Sequence, residues 1–425
     1  MKYDVAVIGG GSAGMIAAGK AGEIGSRVVL IEKNKDLGTK LLMTGKGRCN
    51  ITNKGDELKE IINRFGKNGK FLFSAFSRFG VDETINFFES KGLKTKIERG
   101  GRVFPVSNES RDVLDVLIKY LKKSHVNVKT NSEVRKIIKK QNRIEKIMLV
   151  NGEEIIADNF IICTGGKSHP ITGSTGDGYR WAEKIGHTIA KLSPSLVPII
   201  VKEKYVKDLE GLSLKNVEIS IYKGAKKINS RFGEAIFTAN GMSGPIILDI
   251  SKEVGEELPG DIRMQIDYKP ALDFVKLDKR IQRDFEKSPK KLFKNSLNEL
   301  LPNKLISVII RLSGIDPNKK VNSITKEERR RLPHLLKEFS LGIKGLETFK
   351  KAIITTGGIN LNEVDQKTMK SKLIDNLYFA GEILNLDGPT GGYNLQVCWT
   401  TGYIAGESAG CVNLDRRSKL IKKII

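Results

Sequence analysis

The sequence predicts an α/β protein in which a doubly wound, dinucleotide-binding sheet is interrupted by a small β-barrel and a helical insert. Three observations carry this expectation. A glycine-rich turn joins a buried strand to a helix within the first 32 residues. A shift in composition at Ser193-Pro194-Ser195-Leu196-Val197-Pro198 opens a stretch of short alternating segments. Toward the C-terminus, Asn376 to Ala380 reads as another buried strand and leads to a second glycine-led helix.

The first observation is the strongest. Tyr3 to Ile8 (YDVAVI) reads as a buried strand and runs straight into Gly9-Gly10-Gly11-Ser12-Ala13-Gly14, which has the spacing G-x-G-x-x-G. A small-residue helix, Met15 to Glu23, and a second apolar strand, Arg27 to Ile31, follow, and that strand ends on Glu32. Gly9 allows the tight turn, Gly11 lets the backbone approach a pyrophosphate, and Gly14 lets the helix pack closely on the strand. Phosphate oxygens then meet unpaired N–H groups at the helix N-terminus, which makes Ser12 and Ala13 candidate contacts. Glu32 accepts hydrogen bonds from a ribose, and Lys33 beside it joins the candidates. An acid at this position disfavours a 2′-phosphate, so the ligand is expected to be FAD or NAD rather than NADP.

Bulk properties bound the function. A chain of 425 residues exceeds one compact core, so two or three domains are expected. No apolar run reaches membrane-spanning length, and a core strand beginning at Tyr3 leaves no room for a cleaved signal peptide, so a cytoplasmic protein is expected. The four cysteines, Cys49, Cys163, Cys398 and Cys411, are far apart and form neither a dithiol centre nor a zinc knuckle. With four histidines and no partner spacing, no metal site is expected, and His169 reads as a satisfied loop histidine. The net charge of +24 admits a polyanionic partner. The basic residues are nevertheless spread along the chain and are not interleaved with aromatics, so a lysine-rich solvated surface is the favoured reading over nucleic-acid binding.

In chain order, Gly38 to Asn53 (GTKLLMTGKGRCNITN) breaks both helical and strand periodicity and is expected to be a loop that wraps a ligand. Lys40, Lys46 and Arg48 supply charge, and Thr44, Gly45, Gly47 and Asn50 supply backbone and amide donors, which suits a pyrophosphate and a flavin edge. Glu57 to Gly92 turns amphipathic and helical, with a phenylalanine stripe expected in the core. Arg102, in the turn-rich GGRVFP, faces an anionic substrate or braces its loop. After a helix at Ser110 to Ser124, three alternating segments follow: Val126 to Ile138, which holds the candidate contact Val134, Arg143 to Val150, and Glu154 to Ala157. Asn151-Gly152 is the hairpin signal between the last two. A fully apolar strand, Asn159 to Cys163, then ends on Thr164-Gly165-Gly166, at the carboxyl edge where open α/β sheets bind ligands. The loop Lys167 to Gly178 is expected to be capped by Asp177 before a helix at Tyr179 to Ile185.

Beyond the composition shift, Ile199 to Lys202, Val217 to Tyr222, Glu234 to Thr238 and Ile262 to Tyr268 alternate like barrel strands, and Leu272 to Phe339 reads as short helices punctuated by prolines. The insert is expected to lid the cofactor. The returning strand closes on Gly381-Glu382. After Asp387, Gly392-Tyr393-Asn394-Leu395-Gln396 opens a long small-residue helix. A carboxylate just past the strand suits ribityl hydroxyls, and the helix N-terminus, with about half a positive charge, suits the pyrimidine of a reduced flavin. A second, distant element of this kind marks FAD sites of the glutathione-reductase type. The expected organisation is therefore a glutathione-reductase-type FAD-binding Rossmann domain at 1–191 and 359–425, a β-barrel domain at 192–270 and 336–358, and a helical insert at 271–335.

The motifs VIGGGSAGM, TGKGRCNITN, GGRVFP, TGGKSHPITGSTGDGY, SPSLVPI, GMSGPIILDIS and the stretch from TTGGIN to TGGYNLQ resemble the BaiN-like NAD(P)/FAD-dependent oxidoreductases, also called the aminoacetone oxidase family. The resemblance covers nearly the whole chain and implies that Glu32, Arg48, Asn50, Glu382, Asp387 and the Gly392 to Gln396 turn contact FAD. It departs from the family pattern at Asn385, where an aspartate is usual, and at Ala239, where a histidine is usual. Members are described as acting on steroid-type enones with NAD(P)H or as oxidising small amines. The expectation is an FAD-dependent oxidoreductase exchanging a hydride between flavin and a small organic substrate, with NAD(P)H as a transient electron donor held by Arg102 and surface lysines. A flavin-dependent amine oxidase using oxygen, and a flavin-bearing tRNA-modifying or RNA-binding protein, are the alternatives. No side chain is assigned as catalytic acid or base.

Overall fold

The computed structural model describes residues 2–424, with the side chains of residues 2–411. It divides into two compact units, Met1–Ser193 with Ile353–Ile425, and Pro194–Ala352. Among the described residues no helix is long and apolar enough to cross a membrane.

In the first unit, Lys2–Ile8 pairs in parallel with Val28–Ile31 on one side and Glu154–Ile162 on the other. Asn127–Lys129 and Leu377–Phe379 extend this parallel sheet at its two ends. Val5, Val7, Leu30, Phe160 and Ile161 are wholly buried, as strands covered on both faces must be. The helix Ser12–Glu23 is buried nearly all round because it packs against the sheet and against the C-terminal helix Tyr393–Ile424. Its partner approaches through glycine. A Cβ on Gly402 would lie 2.5 Å from the Ala13 carbonyl oxygen, and one on Gly406 would lie 2.3 Å from that of Ala17. The chain must therefore return from the insert to complete this layer.

Three elements differ from expectation. The segment Val126 to Ile138 splits into Asn127–Lys129, in the parallel sheet, and Val134–Lys140, the edge strand of an antiparallel hairpin with Arg143–Leu149. The break arises because the Asn131 and Ser132 amides donate to the carbonyls of Asn34 and Glu32, which diverts the chain. Conversely, Glu154–Ile162 is one strand, not two, and the polar Asn159 within it donates its amide to the Ala409 carbonyl of the C-terminal helix at 3.0 Å. The stretch Gly38 to Asn53 is not all loop: Thr39–Met43 forms one helical turn and Thr44–Gly47 a 3-10 turn.

The second unit is a closed six-stranded barrel in the order Ile199–Val201, Gly241–Ser243, Lys226–Thr238, Ser213–Lys223, Ile262–Asp267, Phe339–Leu346. The helices Pro245–Glu257, Phe274–Glu286, Asn303–Ser313 and Lys326–Lys337 share a single hydrophobic core with it. Leu277, Leu305 and Leu332 from the helices join Ile219, Met264 and Leu341 from the barrel. Residues 271–335 thus pack as part of the barrel unit, and the chain changes units at 193/194 and 352/353.

Candidate cofactor site

The glycine loop shows three different environments. Gly9 has φ +105°, and a Cβ there would lie 2.5 Å from the Cys163 carbonyl oxygen. A Cβ on Gly14 would lie 1.8 Å from the Gly9 carbonyl oxygen, so the helix is seated on the turn itself. At Gly11 a Cβ would meet nothing within 4 Å. Gly11 is the N-cap of Ser12–Glu23 and brings no side-chain acceptor to the first turn. The open face therefore presents the amides of the Ser12 and Ala13 turn and the positive end of a twelve-residue helix.

Glu32 closes this loop. One carboxylate oxygen accepts from the Gly10 amide at 2.7 Å and the other from the Asn34 amide at 2.8 Å. Each oxygen keeps further acceptor capacity for a ribose. Lys33 is turned elsewhere, its ammonium donating to Thr175 at 2.6 Å and pairing with Asp177 at 2.7 Å. Asp177 accordingly does not cap the following helix. That helix, Asp177–Lys184, has Gly176 as its N-cap. Val134 is buried opposite Leu149, two residues after Ser132, whose amide bonds the Glu32 carbonyl.

At the carboxyl edge of the sheet, Gly165 (φ +69°) and Gly381 (φ +82°) turn the two strand ends. A Cβ on Gly381 would lie 2.7 Å from that of Ala13, which brings this edge onto the glycine-loop helix. Glu382 accepts from the Lys40 ammonium at 2.8 Å and from the Thr355 amide at 2.9 Å. The hydroxyl of Thr355 in turn accepts from the Lys167 and Ser168 amides at 2.8 and 3.2 Å. Asp387, 5% exposed, accepts from Thr356 at 3.0 Å. Thr355 and Thr356 belong to TTGGIN, a motif that carried the family resemblance without a role; their threonines tie both acids and the 164–168 loop into one frame.

The second loop is arranged differently from its reading. The Arg48 guanidinium is committed to the Asn108 side chain at 2.6 and 3.0 Å, to Glu98, and to the face of Phe104 at 4.0 Å. Gln396 is buried and spends its amide on Thr52, Gly80, Thr84 and Thr400, so its side chain anchors the helix start. Tyr393 donates to Asp56 at 2.6 Å, Asn394 holds the Gly388 backbone, and Leu395 is half-buried against the core. Gly392, φ +105°, passes so close to the Thr52 backbone that a Cβ would lie 2.6 Å from it. The Thr44 hydroxyl donates to Leu41, and Gly45 takes φ +57°. Among the described residues the buried oxygens Asn50 Oδ1, an acceptor, and Thr164 Oγ1, a donor and acceptor, have no partner. An orphaned buried oxygen costs free energy unless a ligand or water donates to it, so these two atoms fit a bound group.

The neighbouring thiols stay protonated. Burial pushes the thiols of Cys49 and Cys398 up to about 12 and that of Cys163 further up. His169, half-buried and in the left-handed region at φ +51°, sits in the loop where the sequence placed it. Burial and the nearby Lys40 lower its pKa against the pull of Glu382. A Ser371–His187–Glu363 chain at 2.9 and 3.0 Å has the outline of a nucleophilic triad. Ser371 Oγ, however, also accepts from the amides of Leu373 and Ile374 and is buried, so it holds a turn. Among the described residues no His, Cys, Asp and Glu cluster is placed to hold a metal ion.

The family model described as the HI0933-like protein Rossmann domain matches residues 3–408. The chain belongs to this family. It is 31% identical over 409 residues to the 3-dehydro-bile acid delta(4,6)-reductase of Clostridium scindens, covering 95% of this chain and 98% of that one. It is 30% identical over 403 residues to the ribosomal RNA dihydrouridine synthase of Haemophilus influenzae, covering 93% and 96%. The 3-ketosteroid delta1-dehydrogenase of Sterolibacterium denitrificans shares the fold, with a TM-score of 0.53 at 14% identity over 97% of this chain and all of that one. The protein is accordingly a flavin-dependent oxidoreductase of the BaiN-like group, as the motifs imply.

Proposed function

We propose that the protein uses FAD to reduce a carbon–carbon double bond conjugated to a carbonyl group, with NAD(P)H as electron donor. The observation that carries the cofactor assignment is the open face of Gly11 at a helix N-terminus, flanked by Glu32. Gly11, Ser12 and Ala13 hold the pyrophosphate, Glu32 takes the ribose, and Val134 backs the adenine side. Thr164 and Asn50 offer their unpaired acceptors, while Glu382 and Asp387 take ribityl hydroxyls. The backbone of Gly392 to Leu395 faces the pyrimidine edge. When bound, FAD supplies a hydride.

The reaction class comes from what the named relatives share. A 3-dehydro-bile acid delta(4,6)-reductase saturates double bonds conjugated to a 3-ketone, and a dihydrouridine synthase saturates the uracil double bond conjugated to a ring carbonyl. For a double bond conjugated directly to a carbonyl, hydride would form a C–H bond at the β-carbon, the π electrons would move toward the carbonyl oxygen, and a proton would add at the α-carbon. A second reading, that the substrate is a uracil within RNA, is favoured by the net charge of +24 and by the activity for which the second relative is named. The test is anaerobic: protein reduced with NADPH or NADH is mixed with a 3-oxo-Δ4 steroid, with uridine and with ribosomal RNA, and return of the oxidised flavin spectrum is followed. Reoxidation by none of them, with peroxide formed on adding amines in air, overturns the proposal in favour of an amine oxidase.

A further inference from the structure

The barrel unit carries a groove of about 800 Å³ beside the helix Asn303–Ser313, which the redox reading does not use. Lys294, Asn298, Asn303, Ser307 and Arg311 line it above a floor that includes Ile310. Lys294 and Arg311 are exposed, and the groove lies in the residue stretch 287–320, which has eight Lys and Arg against two acids. The partners of the lining cations are weak competitors. Lys294 donates to the Asn318 side chain, and Arg311 pairs with Asp208 at 3.3 Å with both groups more than half exposed, where screening by water is strong. The sequence hid this feature because Lys294 and Arg311 stand apart along the chain, so neither forms a charge run.

We propose that this groove is a docking site for the phosphodiester backbone of RNA, a reading that rests on the RNA form of the substrate proposed above. The chemistry matches a strand better than a small anion. Lysine and arginine take phosphates, the Asn298, Asn303 and Ser307 side chains offer donors and acceptors to sugars and base edges, and the apolar floor accepts a base face. The exposed Lys290, Lys291 and Lys320 add charge beside Lys294, because the segments that carry them pair through the Leu292–Lys320 bridge and the bond from the Val321 amide to the Lys291 carbonyl.

The test uses the full-length FAD-loaded protein and a labelled single-stranded RNA, with anisotropy measured over a range of salt. Lys291→Gln, Lys294→Gln and Arg311→Gln are combined in one variant. The control removes the same charge from the exposed edge hairpin of the other unit, Arg135→Gln, Lys136→Gln and Lys140→Gln. Loss of three phosphate contacts lowers the slope of log affinity against log salt by about 2 and weakens binding by roughly tenfold or more at moderate salt. The hairpin control is expected to change affinity by less than about threefold, through the long-range field alone. Equal losses in the two variants overturn the proposal in favour of bulk charge, as does an unchanged groove variant. Anionic vesicles that displace the RNA and lose affinity with the same three substitutions overturn it in favour of a membrane surface. Groove-dependent RNA binding without reoxidation of the reduced flavin by RNA upholds the docking site and removes RNA as substrate.

Discussion

Gly11→Ala separates cofactor binding from folding, because the two roles of the glycine loop fall on different residues. Gly11 has φ −81° and ψ −169°, a conformation alanine adopts freely, and its Cβ would occupy open space. The apoprotein is therefore expected to be unharmed, or stabilised by about 0.4–1 kcal/mol through the unfolded chain. The methyl group instead stands where the pyrophosphate approaches. Displacing it forfeits about two charge-assisted hydrogen bonds of roughly 1.5–3 kcal/mol each. The sum, about 3–6 kcal/mol, weakens FAD binding by roughly two to four orders of magnitude. Gly14→Ala behaves in the opposite way: its Cβ would lie 1.8 Å from a backbone oxygen, so the helix must move, at a cost of about 1–3 kcal/mol or more in the apoprotein. Thermal unfolding of the two apoproteins and fluorescence titration with FAD measure both effects. Wild-type FAD affinity in Gly11→Ala, or equal loss of apoprotein stability in the two variants, refutes this division of labour.

Glu32→Ala is expected to weaken FAD binding by at least roughly tenfold, from one lost charge-assisted bond to the ribose, and also to lower the melting temperature of the apoprotein, since the Gly10 and Asn34 amides lose their acceptor; an unaltered apoprotein shows that the carboxylate serves the ligand alone. Thr355→Val strands the Lys167 and Ser168 amides and is expected to cost about 2–4 kcal/mol, read from chemical denaturation, with faster FAD release; a loss below about 0.5 kcal/mol sinks the bracing role, being no more than an ordinary surface change. Iodoacetamide near pH 8 is expected to label the exposed Cys411 first, because burial holds Cys49, Cys163 and Cys398 as thiols; peptide mapping that finds Cys398 modified as fast contradicts this. His187 is buried and its pKa lies below the ordinary 6.5, chiefly through burial and against the pull of Glu363, so the fold favours the neutral ring. Its contribution to stability is complete above about pH 6.5 and shrinks as pH falls below that value; a melting temperature that does not change between pH 7.5 and 5.5, or that changes equally in His187→Asn, counts against it.

The parts of the fold that could be read from sequence are those where residue type encodes a backbone demand. The strand–glycine–helix unit needs particular φ values and close approaches that only Gly9 and Gly14 satisfy, so their presence was diagnostic. Four of the six barrel strands were legible from alternation, whereas Gly241–Ser243 and Phe339–Leu346 were not. The split between Asn127–Lys129 and Val134–Lys140 was not, because hydrogen bonds from Asn131 and Ser132 to a loop nearly 100 residues earlier decide it. The union of barrel and helices was hidden for a related reason: both patterns are amphipathic, and periodicity does not say which apolar faces meet.

At the site, the residues most conspicuous in sequence are the ones most occupied by the protein itself. Arg48 is held by Glu98 and Asn108, Lys33 by Asp177, Lys40 by Glu382 and the Gln396 side-chain amide by Thr52, Gly80 and Thr84, each at long sequence separation. What stays open is quieter: the bare face of Gly11 and the unpaired oxygens of Asn50 and Thr164. A redox cofactor brings its own reactive atoms and needs from its protein shape, oriented dipoles and a few fixed acceptors. The basic side chains Arg48, Lys33 and Lys40 meet that need indirectly, by fixing the loops from which backbone amides and small polar groups face the ligand. Substitutions of Arg48, Lys33 or Lys40 should therefore act through loop order, with cofactor release rising as the loop loosens, whereas a single methyl group at Gly11 acts on the ligand directly.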